Sequence, residues 1–275
     1  MQTPENRPAA SPVIESWPTR QTPQGPVAPV WHTVVLLMGI VMLSVQSILQ
    51  FAGTQPAINR LQTYEVTAIT ELSMFSWIWF GLRLRKIPLR SLLGEVAWDL
   101  KSVAIDFGIG LAFWIASLMI LGSIGVFWIV VEAAIKHQPL LQNGKQLSPD
   151  PTQEHTLHTL TQLAPANGVE VAAWFVLCII AGFVEEMVFR GYLQRQFTAW
   201  SRGAIVAGVA LSSLLFGAAH GYQGARNMVL LAVFGVLFSL LAILRRSLRA
   251  GIFAHSWQDL IAGLMLALLK AHHMI

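Results

Sequence analysis

The chain has 275 residues, of which 55% are hydrophobic and 12% charged, about half the charge of a typical soluble domain. That excludes a water-soluble fold, and the same apolar content excludes a disordered chain. The net charge is +4, but the basic residues fall in short segments between apolar runs, where membrane proteins place them, so the expected partner is the lipid bilayer and not nucleic acid.

Residues 1–30 hold seven of the thirteen prolines and no apolar run. They read as a disordered, Pro-rich tail on the cytoplasmic side, not a secretory signal. Hydropathy then predicts an all-α, polytopic transmembrane bundle of about seven to eight spans, judged against ~20 residues per crossing. A first span covers roughly 33–53 and a second 64–82. Residues 83–104 carry Arg83, Arg85, Lys86, Arg90 and Lys101, which predicts a basic turn and an interfacial amphipathic helix. A third span covers 105–131, and the polar stretch 132–167 forms the longest loop. A fourth begins near Gly168, followed by 203–221, 227–244 and 250–269. Residues 31–165 thus form a set of N-terminal spans and loops, and 166–275 a second membrane region. If seven spans alternate from a cytoplasmic N-terminus, thirteen of the eighteen Lys and Arg residues lie inside, which sets that orientation. The single cysteine, Cys178, excludes an intrachain disulfide and a Cys-cluster metal site. It sits in an apolar run as a small buried hydrophobe.

Ionisable side chains at membrane depth cost several kcal/mol unless paired or wetted, so each is a functional candidate. Glu71 and Asp106, outside any motif, read as bundle-internal hydrogen-bonding or span-end residues. Ser44, Gln46 and Gln50 read as helix–helix contacts. The rest cluster in spans four to seven. Glu185 and Glu186 point about 100° apart on a helix, so they cannot share one role. Glu186 and Arg190 stand i,i+4 with the acid first, the favourable order for an ion pair. That leaves Glu185 on another face. Phe216 and His220 form a second cluster. His255 and Asp259, again i,i+4, share a third helix face. If spans four and five turn near Ser201, Glu185 and His220 differ in depth by roughly 5 Å and can face each other.

Such groups suit hydrolysis. A glutamate beside a histidine can take a proton from water and aim its oxygen at a carbonyl. A second histidine with a polar neighbour can stabilise the oxyanion. The same Glu185, His220 and His255 could instead hold Zn²⁺ or another divalent metal with an open position for water. No His-Glu-x-x-His motif is present, and the sequence leaves both chemistries open.

Glu185-Glu186-x-x-x-Arg190, Phe216-x-x-x-His220 and His255-x-x-x-Asp259, in this order on successive apolar helices, resemble the CPBP family. These are CAAX-prenyl-protease and bacteriocin-processing membrane proteins, also called Abi. The Phe-Arg-Gly-Tyr-Leu-Gln run at 189–194 is similar to theirs as well. The resemblance spans roughly 168–265 and implies an intramembrane endopeptidase acting on a membrane-associated protein or peptide. It implies a catalytic region at 166–275, with the site between helices near the cytoplasmic side. By the same resemblance Glu185 is the water-activating base with His220 as its partner. His255 and Asp259 take the oxyanion positions, Glu186 and Arg190 form a supporting pair, and Phe216 packs beneath. The family's last position is often Asn. An ionised Asp259 cannot donate to an oxyanion, so that residue either carries a proton, orients His255 or binds a metal. Two other readings stay open: a catalytically idle scaffold or self-immunity protein, and a proton-coupled transporter. Oligomeric state and substrate identity are not encoded.

Overall fold

The computed structural model describes residues 25–52, 58–137, 141–142, 145–146 and 151–272. Helices α1 (Val30–Ala52) and α2 (Arg60–Leu84) are followed by the single turn α3 (Arg90–Leu93) and by α4 (Leu100–Ile135). A minimal hairpin pairs β1 (Leu141–Gln142) with β2 (Lys145–Gln146), and α5 (Pro151–Leu163) follows. Helix α6 (Gly168–Glu185) runs on through a π-helix (Glu186–Leu193) into α7 (Gln194–Trp200). Helix α8 (Ile205–Ala219), a 3₁₀ turn (Gly221–Gln223), α9 (Gly224–Arg245) and α10 (Arg249–Ala271) complete the bundle.

Side-chain caps set where these helices begin. Asn59, Asp99 and Asn167 each sit in extended backbone and accept a hydrogen bond from the amide three residues on, at 3.2, 3.0 and 3.0 Å. Each thereby satisfies a donor the helix leaves unpaired. The turn after α7 falls where the sequence puts it. Arg202 and Gly203 there take positive φ, 56° and 89°, a backbone that glycine adopts without penalty.

The bundle is all-α apart from the small hairpin. Among the described residues, five helices are long and apolar enough to cross a membrane: α1, α4, the α6–α7 helix, α9 with its preceding turn, and α10. The other two expected spans are present as helices of different character. Helix α2 is long but more polar, and α8 is apolar but has only 15 residues. Outward faces are apolar, with Met38, Met119, Phe127 and Val206 between 66 and 81% exposed. Polar side chains such as His32, Asp106, Glu186, Arg190 and Gln196 are buried inside. Lipid as solvent explains this distribution.

Three local expectations are corrected. Residues 83–104 form no amphipathic helix: the basic stretch holds only α3, and Leu100 already starts α4. That helix has 36 residues, roughly 54 Å at 1.5 Å per residue, well beyond a ~30 Å hydrocarbon core. The polar stretch 132–167 is not all loop, because it contains the end of α4, the hairpin and α5. The tail expected at 1–30 lies outside the described residues as far as residue 24, but Val27 and Ala28 are buried. Their amides donate to Gln196 Oε1 at 2.8 and 3.2 Å, and Gln196 Nε2 returns a bond to the Ala28 carbonyl. The side chain of Gln50 also falls outside the described residues.

Contacts sort the connections into two ends. At one end Gln196 holds residues 27–28, Arg195 donates to the carbonyls of Ser91 and Leu92, and Gly94 bridges Ser247. At the other end Arg60 reaches Gln162 and Glu170, and Thr156 donates to the Gln223 carbonyl. The N-terminal and C-terminal halves are interleaved between them: α2 packs on α6, α4 on α10, and α8 lies along α9.

Asp106 clamps the first of these ends. Its carboxylate meets Arg245 at 2.7 Å and Arg249 at 2.6 Å, and Arg249 also donates to the Ala97 carbonyl. This fixes Asp106 as the bundle-internal residue the sequence suggested and sets the start of α10, from which His255 projects. Replacing Asp106 with Ala leaves Arg249 buried and uncompensated. A loss of about 3 kcal/mol is expected, read as a lowered unfolding midpoint in detergent. Arg245→Ala, at a half-exposed partner, is expected to cost under about 1 kcal/mol. Equal midpoints for Asp106→Ala and the parent would contradict the clamp.

Candidate functional site

The helix that begins at Gly168 changes its winding at the site. From Glu186 to Leu193 it is a π-helix, and all eight of its residues are buried. Such segments are rare and concentrate at functional sites, because the wider turn re-aims side chains. Helix α8 braces it: Ser212 Oγ donates to the Phe189 carbonyl at 2.6 Å.

Glu186 is the hub of the buried polar groups. Its Oε1 lies 2.9 Å from Arg190 Nη1 and 3.1 Å from His255 Nδ1. Glu186 and Arg190 are fully buried. The Arg190 guanidinium also lies over the Phe216 ring at 4.3 Å and the Phe238 ring at 5.0 Å. Such cation–π contacts are strongest where water is excluded. Phe216 thus packs under the guanidinium, and its ring also touches both histidine rings. Glycines allow the close approach: a Cβ at position 182 would collide with Ser256, and one at 251 would stand 3.2 Å from Glu186 Oε2. Small residues here let α6 and α10 meet backbone to backbone.

Because a carboxylate only accepts, His255 donates from Nδ1 to Glu186 and turns Nε2 outward. That nitrogen stands 3.7 Å from Glu185 Oε2 and 3.7 Å from Asp259 Oδ2. Both separations exceed a direct hydrogen bond and leave room for a third partner. Glu186, and not Asp259, therefore orients His255. His220 caps α8, and its Nδ1 donates to the Phe216 carbonyl at 2.8 Å, which leaves Nε2 free. No hydrogen bond or ion pair joins Glu185 to His220, so the nearer histidine to Glu185 is His255. Glu185, His220, His255 and Asp259 all open onto one cavity of about 1000 Å³.

Among the described residues, no three His, Cys, Asp or Glu side chains are grouped to hold a metal ion. The set Glu185, His220 and His255 does not meet the geometry of a zinc site. The cavity is walled by Thr159, Leu160 and Leu163 from α5 and by the first half of α2. It therefore reaches toward the end of the bundle opposite residues 25–29, whereas the sequence reading puts the site near the side that carries the tail. Helix α8 runs away from the turn after α7, so His220 at its C-terminus lies toward the end where Thr156 meets Gln223.

Two features escape sequence reading. Glu71 lines the same cavity, and its Oε2 is buried without a hydrogen-bond partner among the described residues. The bundle-internal bond expected for it is absent at that oxygen. Its placement at membrane depth was the signal, but no motif tied it to the site. His32, at the start of α1, is fully buried. It stacks on Trp77 with centroids 4.6 Å apart, and bonds the Trp77 carbonyl at 2.8 Å and the Tyr192 hydroxyl at 2.9 Å. This network anchors the end of the π-helix to α1 and α2.

Residues 167–261 match the family model described as type II CAAX prenyl endopeptidase Rce1-like. The matched stretch runs from the cap of α6 to just past Asp259 and contains every residue of the three motifs. No curated protein and no solved structure matches the chain.

Glu186→Ala strands Arg190 in a dry interior, and a loss of about 3–5 kcal/mol is expected, measured by unfolding in detergent. Asp259→Asn, at a partly exposed carboxylate with no direct hydrogen bond, is expected to leave the midpoint unchanged. The reverse ranking would contradict the assignment of Glu186 as the hub.

Proposed function

We propose that this chain, an integral membrane protein, hydrolyses a peptide bond of a membrane-associated protein or peptide with water activated by Glu185, a reading supported by the match of residues 167–261 to the type II CAAX prenyl endopeptidase Rce1-like model. One observation carries the reading. Glu185 Oε2 has no hydrogen-bond partner among the described residues, and its carboxylate faces a cavity shared with His220 and with His255, whose Nε2 stands 3.7 Å away.

The steps follow from the atoms available. A water beside Glu185 gives one hydrogen to the carboxylate and directs the other at His220 Nε2, which the Phe216 carbonyl holds in the accepting tautomer. The water oxygen, its lone pair thus aimed, attacks the scissile carbonyl, and Glu185 keeps the proton. His255, with Nδ1–H committed to Glu186, presents Nε2–H to the developing oxyanion. Glu185 then passes its proton to the amide nitrogen, the C–N bond breaks, and carboxyl and amine products leave. Asp259 stands beside Nε2 and supports that imidazole electrostatically without itself donating. Arg190 balances the charge of Glu186, so the orienting carboxylate stays in place. The thirteen-to-five distribution of basic residues supports a cytoplasmic N-terminus.

The test is cleavage of a fluorogenic, farnesylated Cys-a-a-X peptide by purified protein in liposomes. Glu185→Ala and His220→Ala are each expected to lower kcat by at least about 10²-fold while folding normally. Cleavage at the parent rate in both variants would refute the reading. Reporter fusions at residue 1 and within 85–99 are expected to report the cytoplasmic side, and a non-cytoplasmic signal from both would reverse the orientation.

A further inference from the structure

Helix α2 lies outside the stretch that matches the family, yet it forms a long wall of the cavity. Thr63, Thr67, Thr70 and Glu71 recur at helical spacing on it, and all four line the cavity. Ser47 of α1 lies beside them there. This is an unusual lining for a membrane helix, and the hydroxyls have a common state. Thr63 donates to the Asn59 carbonyl at 2.9 Å, Thr67 to Thr63 at 2.9 Å, Thr70 to Val66 at 2.8 Å, and Ser47 to Ser44 at 2.9 Å.

A hydroxyl carries one donor and two acceptor lone pairs. With these four hydroxyl donors spent on their own helices, Thr63, Thr67, Thr70 and Ser47 present acceptors to the cavity, beside the amide of Gln62. Glu71 ends the row and adds a carboxyl group. It is 7% exposed, and its Oε2 is buried with no hydrogen-bond partner among the described residues. A buried oxygen of this kind is costly unless something donates to it. The group that arrives must bring N–H or O–H donors, spaced over two turns of helix.

We propose that the face Thr63–Thr67–Thr70–Glu71 is the binding track for the backbone of an extended substrate segment. The hydroxyls and Glu71 accept the segment's amide hydrogens, and Glu71 holds the part nearest Glu185. An extended peptide entering a bilayer-depth cavity loses water from every amide. A wall of acceptors replaces that water without selecting any side chain. Glu71 is thus a positioning residue that touches substrate, and the track binds peptide and not the lipid part of a substrate. The inference rests on the endopeptidase reading and extends it to the binding of the chain.

The experiment uses the same farnesylated fluorogenic peptide and a series in which one backbone amide at a time is replaced by an ester, which removes one N–H and little else. Cleavage by the full-length protein is measured in liposomes. Binding of each peptide to Glu185→Gln protein is followed by fluorescence anisotropy, which does not depend on turnover. Glu71→Ala is expected to raise KM and weaken binding about tenfold with kcat little changed. Thr67→Val with Thr70→Val is expected to raise KM about threefold to tenfold. One ester is expected to weaken binding in the parent background and to have no further effect once Glu71 is Ala.

Cleavage with KM unmoved in both variants would overturn the track and leave the endopeptidase reading standing. So would ester and Glu71 effects that multiply independently. Parent protein that neither binds nor cleaves any peptide of the series would overturn both. Glu71→Gln, which keeps an acceptor oxygen, is expected to retain most of the binding, and unfolding midpoints separate loss of binding from loss of fold: a folded Glu71→Leu that binds every peptide as the parent does would also overturn the track.

Discussion

One carboxylate holds the centre of this protein together. Glu186 forms an ion pair with Arg190 and accepts a hydrogen bond from His255 in an interior from which water is excluded. A charged pair there is stable only because each partner is met: the carboxylate by a cation and one donor, the guanidinium by the carboxylate and two aromatic faces. Because the pair sits on the π-helix and reaches across to α10, it also sets the distance between the helices that carry Glu185 and His255. Orientation of the outer imidazole nitrogen follows from satisfying the inner one.

The surrounding structure serves that constraint. Gly182 and Gly251 remove the side chains that would keep α6 and α10 apart. Ser212 holds the widened backbone of the π-helix. Asp106, bonded to Arg245 and Arg249, fixes the start of α10, two turns before His255. None of these residues faces the cavity's chemistry, yet each determines where a facing residue stands. Polar groups buried in hydrocarbon are tolerated on these terms: Asp106 meets two arginines, Glu186 meets Arg190 and His255, and Glu185 opens onto a cavity.

Much of this was legible in the sequence, for physical reasons. The apolar runs marked the helices because backbone in lipid must bond to itself. The i,i+4 spacing of Glu186 and Arg190 foretold their ion pair, which survives the π-helical winding. The Glu186–His255 contact was not legible, since it depends on how two helices 69 residues apart in sequence cross. Pairwise spacing within one helix offered Asp259 instead as one candidate to orient His255. The pairing of Glu185 with His255 over His220 was hidden for the same reason. Helix α5 was hidden by its polar composition and the anchored residues 27–28 by the prolines around them, both of which resemble loop when the burying partner is unseen. Glu71 was noticed for its depth but not for its neighbours, because no local pattern joins α2 to the motifs.

The central claim is that a carboxylate facing this cavity hydrolyses a peptide bond in a membrane-associated chain. Mass spectrometry of polypeptide termini, in membranes of cells carrying the parent or Glu185→Gln at equal abundance, tests it most directly. The account predicts at least one new terminus present with the parent and missing with Glu185→Gln, the uncleaved precursor being retained by the variant. Identical sets of termini from the two membranes would contradict it.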